Sequence, residues 1–270
     1  MKIKALVGAV AALTLSTAAS LAGHQTFDVK GSDVDKGKTS VEANNSFLDG
    51  YPANADRDRF SSQIEASHGF TDWLKLGVKL NIDKPVDEPF HIASVAALAQ
   101  VMLKKFERGV GLAWYTETGF AVNHEHANSV TYGPILQFGT DKSQLLVNTL
   151  FTNTFGRNRE EGTEFSYAWA LKQEVREGLA IGIEGYGVVP DIANAPGIDF
   201  QPHRIGPVIY LERALAGLSG HGDGRRMSVK DAGGNGDDGK PKFGMELGVL
   251  FGLTDATQDM LIKLKAGVEF

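Results

Sequence analysis

Ten consecutive residues, Leu74-Lys75-Leu76-Gly77-Val78-Lys79-Leu80-Asn81-Ile82-Asp83, place every apolar side chain at an even number and every polar residue or glycine at an odd one. A β-strand has this period, because its successive side chains point to opposite faces; a 3.6-residue helical period would mix the two sets. The end of the chain repeats the pattern. Ile262, Leu264, Ala266, Val268 and Phe270 share one face, and Lys263, Lys265, Gly267 and Glu269 the other. Residues 130–139, 165–172, 179–184 and 243–251 alternate in the same way. Residues 91–103 are alanine-rich and less regular; they are read as strand because both neighbours are strands.

Turn signals separate these runs at two alternating lengths. Short connections lie at 69–72, 106–109, 139–142 and 176–178, and longer polar ones at 49–58, 83–89, 123–128, 156–162 and 190–202. Short alternating with long describes a meander of hairpins in a closed sheet, one rim bearing tight turns and the other loops. Twelve strands are predicted, at about 38–50, 57–69, 73–83, 89–105, 109–121, 128–139, 143–155, 163–175, 178–189, 203–213, 242–252 and 260–270. The predicted class is all-β, a closed antiparallel up-and-down transmembrane β-barrel.

A soluble barrel keeps apolar residues inside, whereas an outer-membrane barrel turns them to lipid, so the polarity of the faces has to be decided. The polar face is rich in Gly, Ala, Ser, Glu and Lys, which suits a crowded, wet interior. The apolar face carries Trp73, Trp114, Tyr132, Phe138, Phe165, Tyr167, Trp169, Phe251 and Phe270, several near strand ends. Of these, Trp73, Trp114, Tyr132, Tyr167, Trp169 and Phe270 are the candidates for membrane girdles contacting outer-membrane lipid. Phe270 ends a fully alternating strand and resembles the segment by which bacterial outer-membrane barrels are sorted, which makes the barrel assembly machinery an expected partner. Residues 1–22 have the layout of a secretory signal peptide, with Lys2 and Lys4, an apolar stretch over 5–15 and small residues before Gly23. The expected organisation is therefore a signal peptide at 1–22, a periplasmic segment at 23–37 and an outer-membrane barrel at 38–270. In lipid an open sheet edge would leave backbone groups unsatisfied, so the first strand is expected to pair with 260–270.

Composition removes other classes. With no cysteine, the chain has no disulfide scaffold, thiolate metal site or cysteine nucleophile. A net charge of −6 without a basic run beyond short pairs argues against nucleic acid as a partner. The mean hydropathy of −0.15 is compatible with a barrel, because strands show lipid only every second residue.

The strings Gly69-Phe70-Thr71-Asp72-Trp73-Leu74-Lys75-Leu76-Gly77, Tyr132-Gly133-Pro134-Ile135 with its echo Ile205-Gly206-Pro207-Val208, and Phe251-Gly252-Leu253-Thr254-Asp255 resemble a known family. It is the outer-membrane transporter family of the meta-pathway of phenol degradation, and the resemblance covers roughly 40–270. It implies a barrel that passes small, often aromatic, compounds. These strings are turn and strand signatures, so no functional residue is carried over with them.

Alternation assigns Glu65, Lys75, Lys79, Glu117, Lys172, Glu184, Glu246, Lys263, Lys265 and Glu269 to the lumen. Opposed Lys and Glu can set selectivity in a narrow pore, or can form a salt-bridged plug that conducts nothing. Asn123-His124-Glu125-His126-Ala127-Asn128-Ser129 has residue types used by outer-membrane phospholipases, without their order and spacing, and His124 with His126 has a possible metal-ligand spacing. A solvated loop accounts for this cluster. Gly233-Gly234-Asn235-Gly236-Asp237-Asp238 matches one unit of a calcium repeat, but a single copy supplies too few ligands, and 214–241 is read as a flexible glycine-rich loop. Strand parity puts that loop on the side of the tight turns. The function expected is passive passage of small, hydrophobic or aromatic solutes. The alternatives are a closed structural barrel and, behind it, a lipid-modifying enzyme. No catalytic residue, metal or cofactor is assigned.

Overall fold

The computed structural model describes residues 27–50, 58–85, 89–107, 109–122, 126–214 and 241–270. The signal peptide reading of 1–22, His124 and Glu125 of the histidine cluster and nearly all of the 214–241 loop lie outside the described residues. The described chain forms β1 (Thr39–Asp49), β2 (Asp58–Gly69), β3 (Leu74–Pro85), β4 (His91–Glu107), β5 (Gly109–Ala121), β6 (Asn128–Gly139), β7 (Ser143–Phe155), β8 (Glu164–Arg176), β9 (Leu179–Val189), β10 (His203–Ala214), β11 (Lys242–Gly252) and β12 (Met260–Glu269). Each strand pairs antiparallel with its sequence neighbours, and β1 pairs with β12, so the sheet closes. The seam runs from Ser40 opposite Glu269 to Asp49 opposite Met260. Backbone bonds between Thr39 and Phe270, at 2.8 and 2.9 Å, extend it by one pair.

The alternation survives into three dimensions. Register aligns Glu65 with Lys79, Glu246 with Lys265 and Ser46 with Lys263, so the polar sets of successive strands face one side of the wall and the apolar sets the other. The apolar face is the outer one: Val78, Trp114, Leu171, Ile181 and Phe251 are exposed there, while Lys79, Gln100, Glu184 and Lys263 are buried inside. The alanine-rich 91–103 stretch belongs to β4, whose register shifts between Met102 and Lys104 and again between Lys104 and Glu107. Tight turns gather at one end of the barrel. In one of them, Glu177-Gly178, Gly178 takes a left-handed φ of +72° that favours glycine. The chain leaves β10 at Ala214 and re-enters the wall at Lys242, directly opposite, and both of these residues lie at this turn end.

The two Gly-Pro pairs occupy matching places in the wall. The β6–β7 ladder passes from Tyr132 opposite Phe151 to Ile135 opposite Asn148, and the β10–β11 ladder from Ile205 opposite Phe251 to Val208 opposite Gly248. Pro134 and Pro207 have no N–H to give there. Their preceding glycines let the neighbouring backbone come close: a Cβ would stand 2.1 Å from the Thr149 carbonyl oxygen at Gly133, and 1.9 Å from that of Val249 at Gly206.

Candidate functional site: a filled lumen and a turn-end vestibule

The lumen is occupied by the chain's own N-terminal part. The sequence reading leaves 23–37 in the periplasm, outside the barrel; in the structure residues 27–36 run inside it. Phe27, Val29, Ser32 and Val34 are buried. The segment makes no strand ladder, so its backbone groups find inward-facing amides instead. Lys30 N–H donates to Asn148 Oδ1 at 2.7 Å, and Asn148 Nδ2 donates back to the Lys30 carbonyl at 2.9 Å. Ser32 donates twice to Gln137 Oε1, from its N–H at 3.2 Å and its hydroxyl at 3.1 Å. Gln100 Nε2 donates to the Gly31 carbonyl at 3.0 Å, and Asn44 Nδ2 to that of Phe27 at 3.1 Å. These partners come from β7, β6, β4 and β1, so the segment is held from several walls at once. Buried polar backbone must be paired, and here side chains replace the missing ladder.

Apolar packing adds to this. Phe27 meets the Tyr186 ring edge-on at 5.0 Å and lies under the Arg204 guanidinium at 4.3 Å. With Val29 it joins Leu48, Leu146, Ala170, Val208, Tyr210, Leu250 and Leu261 in a cluster inside the barrel.

Charged residues fill the rest of the interior in two linked groups. In the first, Lys30 Nζ stands 3.0 Å from both Asp28 and Glu65, and Lys79 bonds Glu117 and the Tyr115 hydroxyl and lies 3.8 Å from Glu65. Lys265 joins Asp28 at 2.9 Å to Glu42 at 3.0 Å. In the second, Lys263 is fully buried, 2.8 Å from Glu184 and 2.8 Å from Glu246. Glu184 also accepts from the hydroxyls of Tyr186 at 2.5 Å and Tyr210 at 2.8 Å. Asp28, Glu42, Glu65, Glu117, Glu184 and Glu246 each lie within 4.0 Å of one of Lys30, Lys79, Lys263 and Lys265, while Lys75 and Lys172 make no ion pair among the described residues. An isolated charge in such surroundings is costly, and pairing of this kind lets the interior stay ionised.

Below this packed middle, at the turn end, opens a vestibule of about 990 Å³. Lys75, Lys172, Glu246, Lys265 and Glu269 line it, with Val34, Met102, Gln144 and Tyr210. Lys172 Nζ lies 4.1 Å above the Tyr210 ring.

All three tryptophans face outward. Trp73 and Trp114 are 52% and 42% exposed, and Trp114 stacks on Tyr132 at 6.4 Å. Tyr132, Phe151, Phe165 and Tyr167 continue as a chain of rings 5.3 to 6.5 Å apart, and Phe47, Phe60 and Phe90 form another. Trp169 lies across Gly185, where a Cβ would stand 2.4 Å from its ring. Phe270 is exposed at the closing seam. Ser129, of the phospholipase-like cluster, stands opposite Gly119 and Thr154 in the ladder. Among the described residues no three His, Cys, Asp or Glu side chains gather as a metal site.

The N-terminal segment was the functional element hardest to find in the sequence. It has no period-two pattern, but a signal existed on the other side of the contact. Asn44, Gln100, Gln137 and Asn148 all fall at inward positions, more hydrogen-bonding capacity than a lumen lined only with charges and small residues needs.

No protein-family model matches the sequence, and no curated protein matches it. Solved structures do match. An outer membrane channel from Pseudomonas putida F1 is similar over 90% of this chain and 99% of its own, at 10% identity and a TM-score of 0.61. The NanC porin is similar over 85% of this chain and 98% of its own, at 8% identity and a TM-score of 0.51. At these identities the likeness is one of fold, and the fold is the closed twelve-stranded antiparallel barrel of outer-membrane porins.

Proposed function

We propose that this chain is a bacterial outer-membrane barrel through which small solutes pass, by a route that includes the turn-end vestibule. The observation that carries the reading is the inverted polarity of the wall. Exposed Val, Leu, Ile and aromatic side chains cover the outside, while a network of ion pairs occupies the inside. Water would penalise such an outer surface, and lipid matches it. The Tyr210 ring with Met102 and Val34 in the vestibule favours solutes with hydrophobic or aromatic bodies. Exposed Phe270 at the seam supports recognition of β12 by the barrel assembly machinery.

Membrane placement has a direct optical test. Because every tryptophan faces outward, total tryptophan fluorescence is expected to fall strongly when the folded protein is placed in bilayers with brominated acyl chains, with Trp73, Trp114 and Tyr132 in girdle positions. Emission unchanged by brominated lipid would refute a lipid-facing outer wall.

Conduction is tested in planar bilayers. Protein that shows heat-modifiable gel mobility, and is therefore folded, should give discrete conductance steps or measurable solute flux. An electrically silent bilayer with the same sample would favour the second reading, a closed structural barrel. That reading has its own support in the filled middle of the lumen.

A further inference from the structure

We propose that the turn-end vestibule binds small organic anions, carboxylates carrying an apolar body, through the ammonium groups of Lys75 and Lys172. The proposal rests on the solute-passage reading and deepens it by naming the class of solute.

Its starting point is a contrast among the lumen lysines. Lys30, Lys79, Lys263 and Lys265 each lie within 4.0 Å of at least one carboxylate oxygen. Lys75 and Lys172, both half-buried and both lining the cavity, make no ion pair or hydrogen bond among the described residues. Two carboxylates of the same cavity are engaged, Glu42 by Lys265 at 3.0 Å and Glu246 by Lys263 at 2.8 Å, and among the described residues none of the others in the lining, Glu174 and Glu269 included, pairs with Lys75 or Lys172. Lys75 therefore presents its donors to the cavity, and Lys172 does so from above the Tyr210 ring, 4.1 Å away. Lys75 is on β3 and Lys172 on β8, nearly opposite walls of the ring. An ammonium in a partly dry site gains most from an anion that brings its own hydrogen-bond acceptors.

The rest of the charged lining carries both signs, Glu174, Glu212 and Glu269 beside Lys105, Lys142 and Lys242 for example. The anion is therefore assigned to the two unpaired lysines, and the uncharged lining favours an organic anion over a bare ion. Tyr210, Met102 and Val34 provide apolar surface, and Gln144 and the hydrogen-bonded pair Ser40 and Ser67 provide neutral polar contacts. A volume of about 990 Å³ admits a small organic molecule together with water.

Titration calorimetry on the folded full-length protein in detergent tests the proposal with benzoate as the probe. Benzoate is expected to bind saturably, and benzamide, its neutral analogue of the same shape, about tenfold more weakly or worse. The double variant Lys75→Met/Lys172→Met should lose about tenfold or more in benzoate affinity, and Lys172→Arg should keep most of it. Wild-type protein that binds benzoate and benzamide equally, or neither, would overturn the proposal without any need for a variant. Undiminished affinity in the double variant would overturn the assignment of the lysines, and sulfate binding as tightly as benzoate would overturn the organic class. Benzoate binding by a protein that stays silent in planar bilayers would refute conduction while leaving the binding site standing. Conductance without benzoate binding would do the reverse.

Discussion

Replacing Lys263 with methionine is expected to destabilise the folded barrel by about 3–5 kcal/mol, the range for breaking a buried ion pair by removing one partner. Its ammonium is fully buried and serves Glu184 and Glu246 together, each at 2.8 Å. Methionine fills nearly the same space, so the loss is electrostatic. Two carboxylates would remain in a packed interior, where Glu184 already accepts from Tyr186 and Tyr210 and has little access to water. Urea titration in detergent or lipid, read by heat-modifiable mobility, measures the change. Neutralising the stranded acceptors as well, in Lys263→Met/Glu184→Gln/Glu246→Gln, should restore most of the loss. A single variant with an unchanged urea midpoint would show that the network contributes nothing to stability.

Removing residues 27–36 is expected to raise single-channel conductance several-fold and to lower stability at the same time. The segment occupies the middle of the lumen, and Phe27, Val29 and Val34 are buried there, at roughly 1.5–3 kcal/mol for each large apolar side chain taken from water. Its loss also takes Asp28 from Lys265 and Lys30 from Glu65. Protein refolded from urea avoids any effect of the deletion on export. A second displacement comes from Gly111→Leu, because a Cβ at that wall position would stand 2.2 Å from Ser32 Oγ, nearer than to its other neighbour, Phe106 Cβ at 2.9 Å. This variant leaves the segment's own sequence intact, and its conductance should lie between those of wild type and deletion. Equal conductance in all three proteins would mean that current does not run through the lumen.

The wall of this barrel was legible in the sequence because every residue of a strand reports its face through a two-residue period. The string 74–83 alone separates Lys75 and Lys79 from Leu76 and Val78, and register then carries that choice from strand to strand. Closure followed from the cost of an open edge in lipid. Which inward charges meet was not legible, because it depends on distances across the lumen. Lys263 on β12 reaches Glu184 on β9, three strands away, although Gly248 stands opposite it in the ladder. The same limit hid the occupant of the lumen. Residues 27–36 make their contacts one side chain at a time with partners on many strands, and contacts of that kind leave no period. The family resemblance rested on turn and Gly-Pro strings, which describe the wall and are silent about what lies within it.

The closing seam also constrains the order of assembly. Asp28 meets Lys265 across 237 positions of sequence and Lys30 meets Asn148 across 118, so the first-made part of the described chain completes its set of partners only after most of the strands exist. The seam itself needs β12, made after the other eleven described strands. Sealing the ring before residues 27–36 had entered would leave them to thread back through an interior already crowded with paired side chains. Enclosure while β1 and β12 are still apart avoids that threading, and it makes joining the first strand to the last the step at which wall and contents become fixed together. Contacts so distant in sequence are slow to form, which places this step late.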